Sequence, residues 1–252
     1  MISATAVIPA RLSSRRFPRK ALLPVGESSL IVHLVRSVLQ SRLFERVVVT
    51  SPDQEILDAV RGLGVVTWRS VGEFRSGSER VFEYVKSCGL DTKFVVNIQG
   101  DMPAIDTSGL RRLLERMERV AEVGIGTLAR KCVSLAEFND RNRVKTVLDR
   151  DLRALYFSRL PIPSGANAAD ALVHIGIYVF HRDVLERLTG ISRSLLAESE
   201  DLEQLDWVFQ GLSMLTEVVN WTVPSVDDPT DVPALENWLS DLSAEEFGRG
   251  DM

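Results

Sequence analysis

Short apolar runs alternate with amphipathic stretches along the first half of the chain. The runs have the length of buried strands. They occupy residues 4–8, 46–50, 65–68, 94–98 and 125–129. Between the first two runs, apolar residues recur at the three- and four-residue spacing of one helix face, namely Leu30, Leu34, Val35, Val38 and Leu39. This alternation predicts an α/β layer with parallel strands.

Local signals place helix starts after several of these strands. Ser51 followed by Pro52 is typical of an N-cap with proline at the first helical position. Ser76 or Ser78 would cap the helix after the third strand, and residues 108–120 form a further helix. The first half of the chain is therefore expected to be a regular succession of strand, loop and helix.

The pattern changes near residue 140. Residues 144–148 and 152–159 are predicted to form a hairpin around a turn at 149–151. Residues 173–180 alternate with period two, which places His174, Gly176 and Tyr178 on one face. A helix follows near residue 205, with Leu202, Leu205 and Phe209 on one side. A last strand is predicted over residues 217–223, before a C-terminal helix.

Composition narrows the possible functions. The 252 residues are 45% hydrophobic and 26% charged, values typical of an ordinary globular protein. A net charge of −5 argues against a general nucleic-acid binder, and no apolar segment reaches the roughly 20 residues of a membrane span. Two cysteines are too few for a disulfide framework, and the first residues lack the order of a secretory leader. We expect a cytoplasmic protein with neither membrane nor nucleic-acid partners.

A cationic loop follows the first strand. Residues 9–20 hold five cations and no acid, and the first carboxylate of the chain is Glu27. Ligands of open α/β sheets bind at the carboxyl ends of strands, so this position favours an anion site over a solvated basic turn. The loop lacks the P-loop and dinucleotide glycine motifs, and it disfavours an NAD-dependent dehydrogenase. Its arginine and lysine side chains would therefore contact the phosphate oxygens.

Two further loops offer complementary chemistry. Ser76 and Gly77 would allow close approach of a planar base or a ribose, although such a loop is often only a connection. Gly100 and Asp101 end the most apolar strand, where one carboxylate is suited to holding a hard divalent cation. Asp227, after the last predicted strand, would be the second carboxylate. A turn or capping role is the alternative for both acids.

Seven motifs occur in an order that resembles the 3-deoxy-manno-octulosonate cytidylyltransferase (CMP-Kdo synthetase) family over roughly residues 4–240. They are IPAR with S-x-R-x-P-x-K (8–20), S-G-[ST]-E-R (76–80), N-[IV]-Q-G-D-x-P (97–103), ALYFSR (154–159), H-x-G-I-Y (174–178), LEQL (202–205) and VD-x-P-x-D (226–231). Any one motif would be weak evidence, whereas seven in register are specific.

The resemblance implies a Rossmann-like, glycosyltransferase-A-like nucleotidyltransferase fold, with a mixed sheet flanked by helices and a smaller α+β lobe. It implies a nucleotide-binding part over residues 1–140 and a sugar-binding and dimerisation lobe over residues 141–215. Residues 216–252 would return to the main sheet with the metal aspartate and a C-terminal helix. The implied reaction transfers CMP from CTP to the anomeric hydroxyl of a 3-deoxy-2-keto sugar acid and releases pyrophosphate. A homodimer and Mg²⁺ are implied as well.

Site residues are carried over position by position. The residues implied to be catalytic are Arg11, Arg16, Lys20, Asp101 and Asp227, of which Asp101 and Asp227 would bind Mg²⁺. Those implied to bind the nucleotide are Ala10, Arg11, Ser14, Lys20, Ser76, Gly77, Arg80 and Gln99. Those implied to orient the sugar acid are Gln99, Arg159, His174, Tyr178, Glu203 and Gln204.

The chain departs from the family pattern near the implied site. Arg15 and Arg19 stand where the phosphate loop normally has threonine and glycine, and Met102 stands where an acid usually follows QGD. These differences leave two alternatives open. One is a different acceptor, either a sialic-acid-like sugar or an amino-octulosonate. The other is a degenerate, non-catalytic nucleotide-binding homologue.

Overall fold

A computed structural model describes residues 2–13, 17–120, 122–224, 226 and 231–247. Its strands are β1 (Ala4–Pro9), β2 (Pro24–Val25), β3 (Ser28–Ser29), β4 (Arg46–Ser51), β5 (Val66–Arg69), β6 (Phe94–Ile98), β7 (Ile125–Lys131), β8 (Lys145–Leu148), β9 (Ala154–Ser158), β10 (Leu172–His181) and β11 (Met214–Val219). Its helices are α1 (Leu30–Gln40), α2 (Gln54–Ala59), α3 (Gly77–Cys88), α4 (Thr107–Arg119), α5 (Leu135–Asn139), α6 (Arg182–Leu188), α7 (Leu195–Glu200), α8 (Gln204–Phe209) and α9 (Val232–Phe247).

The main sheet has the strand order β11-β7-β10-β6-β1-β4-β5. Strand β1 pairs in parallel with β4 and β6, and β11 pairs in parallel with β7, whereas β10 runs antiparallel to both β6 and β7. The mixed sheet is confirmed. The predicted strands of the first half, namely β1, β4, β5, β6 and β7, all run in one direction as expected, and β10 from the second half lies antiparallel between β6 and β7. The three-part division of the chain stays a prediction, and β10 lies in the middle of the main sheet.

Two apolar layers enclose the sheet. Neighbouring residues of one strand reach opposite layers: Ile8 and Val96 pack with α1 and α4, while Val7 and Val95 pack with α3 and α8. Because both faces of β1 and β6 are covered, these strands are continuous apolar runs rather than alternating ones. The hairpin of β8 and β9 is confirmed, and it joins the sheet through the pairing of β8 with the first residues of β10.

Three local predictions were wrong. Ser51 is the last residue of β4, where it pairs with Arg69 of β5, so α2 begins later, with Asp53 at its N-cap. The last strand is β11, which starts three residues before the predicted position. The side chain of Phe209 is exposed, because α8 spans only six residues and Trp207 instead packs against Tyr178.

Candidate active site

The loops that follow β1 and β6 meet at the carboxyl ends of these strands. The amide of Gly100 donates a hydrogen bond of 3.2 Å to the carbonyl of Pro9. A Cβ on Gly100 would lie 2.8 Å from both the Ala10 Cβ and the Pro9 carbonyl oxygen, closer than real contacts allow. Only glycine permits this approach, which brings Asp101 beside the cationic loop.

Lys20 and Asp101 form an ion pair at this junction. The Lys20 Nζ lies 3.1 Å from the Asp101 Oδ2, and the side chain of Asp101 is 57% exposed. The side chain of Arg11 is exposed on the same loop. Ser14, Arg15, Arg16 and Asp227 lie outside the described residues, so their predicted roles remain predictions.

Asp53 follows β4, the strand next to β1, and it holds the cationic loop in place through a hydrogen bond. The sequence did not predict this role. Its Oδ2 accepts a 2.7 Å hydrogen bond from the amide of Leu12, and the Leu12 carbonyl accepts one of 2.8 Å from the amide of Arg19. Arg19 has φ +64°, in the left-handed region that favours glycine, and it pairs with Glu55 of α2. The loop therefore keeps a glycine-like conformation despite the substitution.

The Ser76–Gly77 loop lies beside the carboxyl ends of β1 and β6. Ser76 caps α3 as predicted, its Oγ accepting from the amide of Glu79. A Cβ on Gly77 would lie 3.0 Å from the Gln99 Oε1 and 3.1 Å from the Pro9 Cγ. These contacts bring Gly77 and Gln99 together at the end of β6.

Arg80 is a buried cation in the first turn of α3. Its side chain lies over the ring of Phe74, and its Nη1 is 3.5 Å from the Ala10 carbonyl oxygen. Burial lowers the pKa of Arg80, and the charge of Arg11 lowers it further. The buried Arg80 Nε has no partner among the described residues. A polar ligand atom would satisfy this donor.

One cavity of about 460 Å³ joins the cationic loop to the predicted sugar residues. Lys20 and Asp101 line it at the ends of β1 and β6. All six residues predicted to contact the sugar line it as well, namely Gln99, Arg159, His174, Tyr178, Glu203 and Gln204. Met102 also lines the cavity, where its side chain replaces the expected acid and packs against the core. Residues from five separate motifs therefore share one space.

His174 and Tyr178 form an uncharged part of the cavity wall. The His174 Nε2 is 2.8 Å from the Thr127 Oγ1, and its ring packs edge-on against Phe157. Burial lowers the pKa of His174 to about 3, so the imidazole is neutral near pH 7. Burial, together with the nearby charge of Glu203, raises the pKa of Tyr178. Both side chains therefore offer neutral hydrogen-bonding groups.

A chain of buried polar groups positions Glu203. The side-chain Nδ2 of Asn97 donates to the Ser78 Oγ at 2.9 Å, and the Ser78 hydroxyl donates to the Glu203 Oε1, also at 2.9 Å. Burial raises the pKa of Glu203, while hydrogen bonds from Ser76 and Ser78 oppose that shift. Asn97 and Ser78 lie within two of the motifs, but the sequence did not predict that they position Glu203, although an asparagine inside the apolar β6 was an available signal.

Arg159 lies at the rim of the cavity with its guanidinium already engaged. It donates to the carbonyls of Glu200 (2.8 Å), Asp201 (3.0 Å) and Arg141 (3.2 Å). These bonds tie β9 to the end of α7. The predicted role of Arg159 in orienting the sugar acid is not tested by this arrangement, and the remaining N–H donors of its guanidinium would have to perform it.

Within the part of the chain that the structure describes, no three His, Cys, Asp or Glu side chains cluster as a metal site. A divalent cation at Asp101 would therefore need other oxygen ligands, which substrate phosphates and Asp227 could provide. The exposed Asp101 carboxylate beside the cationic loop fits that chemistry. Among the described helices, none has the length and apolar character needed to cross a bilayer.

The chain is similar in sequence to cytidylyltransferases. The family model described as "Cytidylyltransferase" matches residues 5–214. A 3-deoxy-manno-octulosonate cytidylyltransferase from Chlamydia abortus is 35% identical over 242 residues, which cover 96% of this chain and 95% of the relative. An 8-amino-3,8-dideoxy-manno-octulosonate cytidylyltransferase from Shewanella sediminis is 32% identical, covering 95% of this chain and 99% of the relative.

A solved structure has the same fold as this chain. The structure of a CMP:2-keto-3-deoxy-manno-octonic acid synthetase complexed with CTP superposes with a TM-score of 0.86 at 32% identity. The match covers 95% of this chain and 99% of that one. The Rossmann-like nucleotidyltransferase fold and the family resemblance of the motifs are thereby confirmed, and the chain belongs to the cytidylyltransferase family.

Proposed function

We propose that this protein transfers CMP from CTP to the anomeric hydroxyl of a 3-deoxy-2-keto sugar acid, Kdo or a close relative, and releases pyrophosphate. The observation that carries the proposal is the shared cavity, in which Lys20 and Asp101 face the same space as the six sugar-site residues. The family membership and the two kinds of octulosonate-activating relatives support it further.

The cationic loop would bind the triphosphate. Lys20 and the exposed Arg11 neutralise charge on the phosphates and the leaving pyrophosphate, together with Ser14 and Arg16 by resemblance. Displacement at a phosphorus atom needs mainly positioning and charge neutralisation, so no covalent nucleophile is required. The close packing of Ala10 and Gly100 holds the loop ready for this task.

The cytidine would lie between the cationic loop and the start of α3. Ser76 and Gly77 present backbone close to Gln99, and the buried Arg80 has an unsatisfied Nε. A base or ribose oxygen is a suitable acceptor for that donor. We therefore assign Ser76, Gly77, Arg80, Ala10 and Gln99 to nucleotide recognition.

The sugar acid would occupy the part of the cavity lined by His174, Tyr178, Glu203 and Gln204. A general base works best with a pKa near the working pH, and the pKa of His174 is about 3. His174 would therefore orient the sugar by hydrogen bonding rather than accept its proton. Tyr178 and Gln204 would direct the remaining hydroxyls, and Arg159 and Gln99 lie within the same cavity.

Mg²⁺ would be held by Asp101 and Asp227, with phosphate oxygens completing its shell. When bound, the ion would neutralise phosphate charge and polarise the reacting phosphorus. The exposed carboxylate of Asp101 is suited to this role, and its contact with Lys20 places it beside the phosphate loop.

We also propose a homodimer in the cytoplasm. Large apolar side chains are exposed between residues 133 and 195, including Leu135 at 66%, Leu155 at 57% and Leu195 at 75%. Exposed apolar surface of this kind is a common mark of a subunit interface. Light scattering at micromolar concentration should give twice the 28.1 kDa chain mass, and a single-chain mass would contradict this part.

The acceptor is tested by measuring pyrophosphate release with CTP and Mg²⁺ against Kdo, 8-amino-3,8-dideoxy-Kdo and a sialic acid. We expect turnover with one or both octulosonates, because relatives of both kinds are similarly identical to this chain. Turnover with the sialic acid alone would contradict the proposed substrate class. CTP binding without turnover of any acid would favour the non-catalytic homologue.

A further inference from the structure

Three arginines line the side of the cavity formed by β7 and β10. These strands continue past the end of β6: Ile98 pairs with Ile177, whereas Val173 pairs with Arg130 and Lys145. Arg130, Arg143 and Arg159 all reach the cavity here. The three arginines differ in whether the guanidinium already donates hydrogen bonds within the protein.

Two of the three are engaged within the protein. Arg130 binds both carboxylate oxygens of Glu137 and also donates to the Lys131 carbonyl. Burial disfavours ionised Glu137, but hydrogen bonds from Arg130 and from the Val133 amide outweigh that effect, and they lower its pKa to about 2. Arg130 therefore faces a permanent counterion. Arg159 is held by three backbone carbonyls, as described above.

Arg143 differs from both. Its closest approach to Glu137 is 3.9 Å, between Nε and Oε1, which is beyond hydrogen-bonding distance. Its guanidinium donates no hydrogen bond within the described ranges of the chain, and its side chain is 26% exposed. Arg143 shares Glu137 with Arg130, which already binds both carboxylate oxygens, so the long ion pair of Arg143 leaves its guanidinium donors available.

The backbone that carries Arg143 is fixed. The fully buried Lys145 donates through Nζ to the carbonyls of Arg143 (2.6 Å), Asp140 (2.8 Å) and Arg159 (2.7 Å). The amide of Arg143 donates in turn to the Asp140 carbonyl. A ligand that binds the guanidinium would thus order only the side chain, because the loop is already in place.

We propose that Arg143 is the binding residue for the carboxylate of the acceptor sugar acid, an inference that rests on the function proposed above. An arginine offers a planar fork of donors that matches a carboxylate in a bidentate arrangement. The acids that line the cavity, among them Asp101 and Glu203, would repel that carboxylate. Among the described residues that line the cavity, Arg143 is the arginine whose guanidinium donates no hydrogen bond, and it is therefore best placed to receive the group.

The test compares the sugar acid with its neutral carboxamide as acceptors, in the wild type and in Arg143→Met. Loss of a charged bidentate contact should raise the KM for the acid about 30-fold or more, with the KM for CTP changed less than about threefold. The wild type should prefer the acid over the amide by a similar factor. In Arg143→Met that preference should fall to less than about threefold, because the group that distinguishes them is gone.

Two further variants serve as controls. Arg143→Lys keeps the charge without the fork, and we expect an intermediate KM for the acid. Arg141→Met removes a neighbouring exposed cation from the same loop, and we expect KM values within about twofold of the wild type. Calorimetric CTP binding and thermal unfolding of each variant show that it is folded.

The outcomes separate this inference from the proposed function. Wild-type turnover combined with an unchanged KM for the acid in Arg143→Met would overturn the assignment alone. So would an equal loss for acid and amide, or a rise confined to the KM for CTP, which would make Arg143 a phosphate contact. No turnover of any sugar acid by the wild type would overturn the proposed function and the assignment together.

Discussion

The ammonium of Lys20 lies 3.1 Å from the carboxylate of Asp101, although 81 residues separate them in the chain. Lys20 follows β1 and Asp101 follows β6, and the two strands pair in parallel. The pair therefore connects the cationic loop with the candidate metal ligand. This contact is the centre of the proposed site, and its two members are expected to have different roles.

Replacement of either residue should separate those roles. Asp101→Asn should lower turnover on the order of 10²–10³-fold with the fold intact, by analogy with loss of one aligned charged group. Lys20→Ala should raise the KM for CTP more than the KM for the sugar acid. Steady-state kinetics would check both. Lys93→Ala, which breaks an ion pair with Glu118 outside the cavity, is the matched control and should leave rates near normal. Normal rates in Asp101→Asn would exclude it from the site.

Gly100→Ala should disturb the packing of the two loops at the site, because its added Cβ has no room. The new Cβ would lie 2.8 Å from the Pro9 carbonyl oxygen, so one of the two loops must move. We expect a loss of about 1–3 kcal/mol in the free energy of unfolding, together with weaker CTP binding. Gly176→Ala is the control, since its nearest atom, the Gln99 Cγ, would be 3.6 Å away. Equal stability of the two variants by denaturant unfolding would contradict the close approach.

Arg19 tests the conformation of the cationic loop. Its φ of +64° costs a non-glycine residue about 1–2 kcal/mol. Arg19→Ala keeps this strain and loses the contact with Glu55, whereas Arg19→Gly relieves the strain. Arg19→Gly should therefore be more stable than Arg19→Ala, by about 1 kcal/mol in urea unfolding, after allowing for the flexibility of glycine in the unfolded chain. The opposite order would mean that the residue is not left-handed.

His174 should make stability depend on pH. Its pKa is about 3 in the folded protein and 6.5 as the ordinary value, so between these values the unfolded chain binds more protons. Stability therefore rises with pH across that window, and it is lost on acidification below about pH 6.5. Between pH 7 and pH 4 the imidazole should account for up to about 3 kcal/mol of that loss. The free energy of unfolding, measured by urea denaturation at a series of pH values, should depend less on pH between 4 and 7 in His174→Gln than in the wild type. An unchanged slope would show that the ring is not buried in neutral form.

Much of the fold followed from periodicity and from strand-end chemistry. The apolar runs of β1, β4, β6 and β7 and the amphipathic α1 were predictable because burial on both faces leaves a clear pattern. The antiparallel insertion of β10 between β6 and β7 was not, because strand order depends on long-range pairing. The late start of α2 was missed because pairing with β5 extended β4 through Ser51.

The site was predicted less completely than the fold. Motifs identified Lys20, Asp101 and the sugar-site residues, which meet in one cavity. The motifs did not include Asp53, and they gave no role to Asn97, because both residues act through contacts between segments far apart in sequence. Lys145 did carry a signal, since a lysine within an apolar strand must find acceptors when buried. Arg143 had no such signal in the sequence, because its proposed role depends on the hydrogen bonds that Arg130 and Arg159 already make and that it does not.

The most direct test of the account follows the α-phosphorus of CTP. CTP labelled at that atom should be incubated with Mg²⁺ and either octulosonate, with the wild type and Asp101→Asn in parallel. We predict that the wild type moves the label into a CMP-linked sugar acid while releasing unlabelled pyrophosphate, and that Asp101→Asn forms little of this product. Label that stays in CTP with the wild type, or product formed equally well by Asp101→Asn, would contradict it.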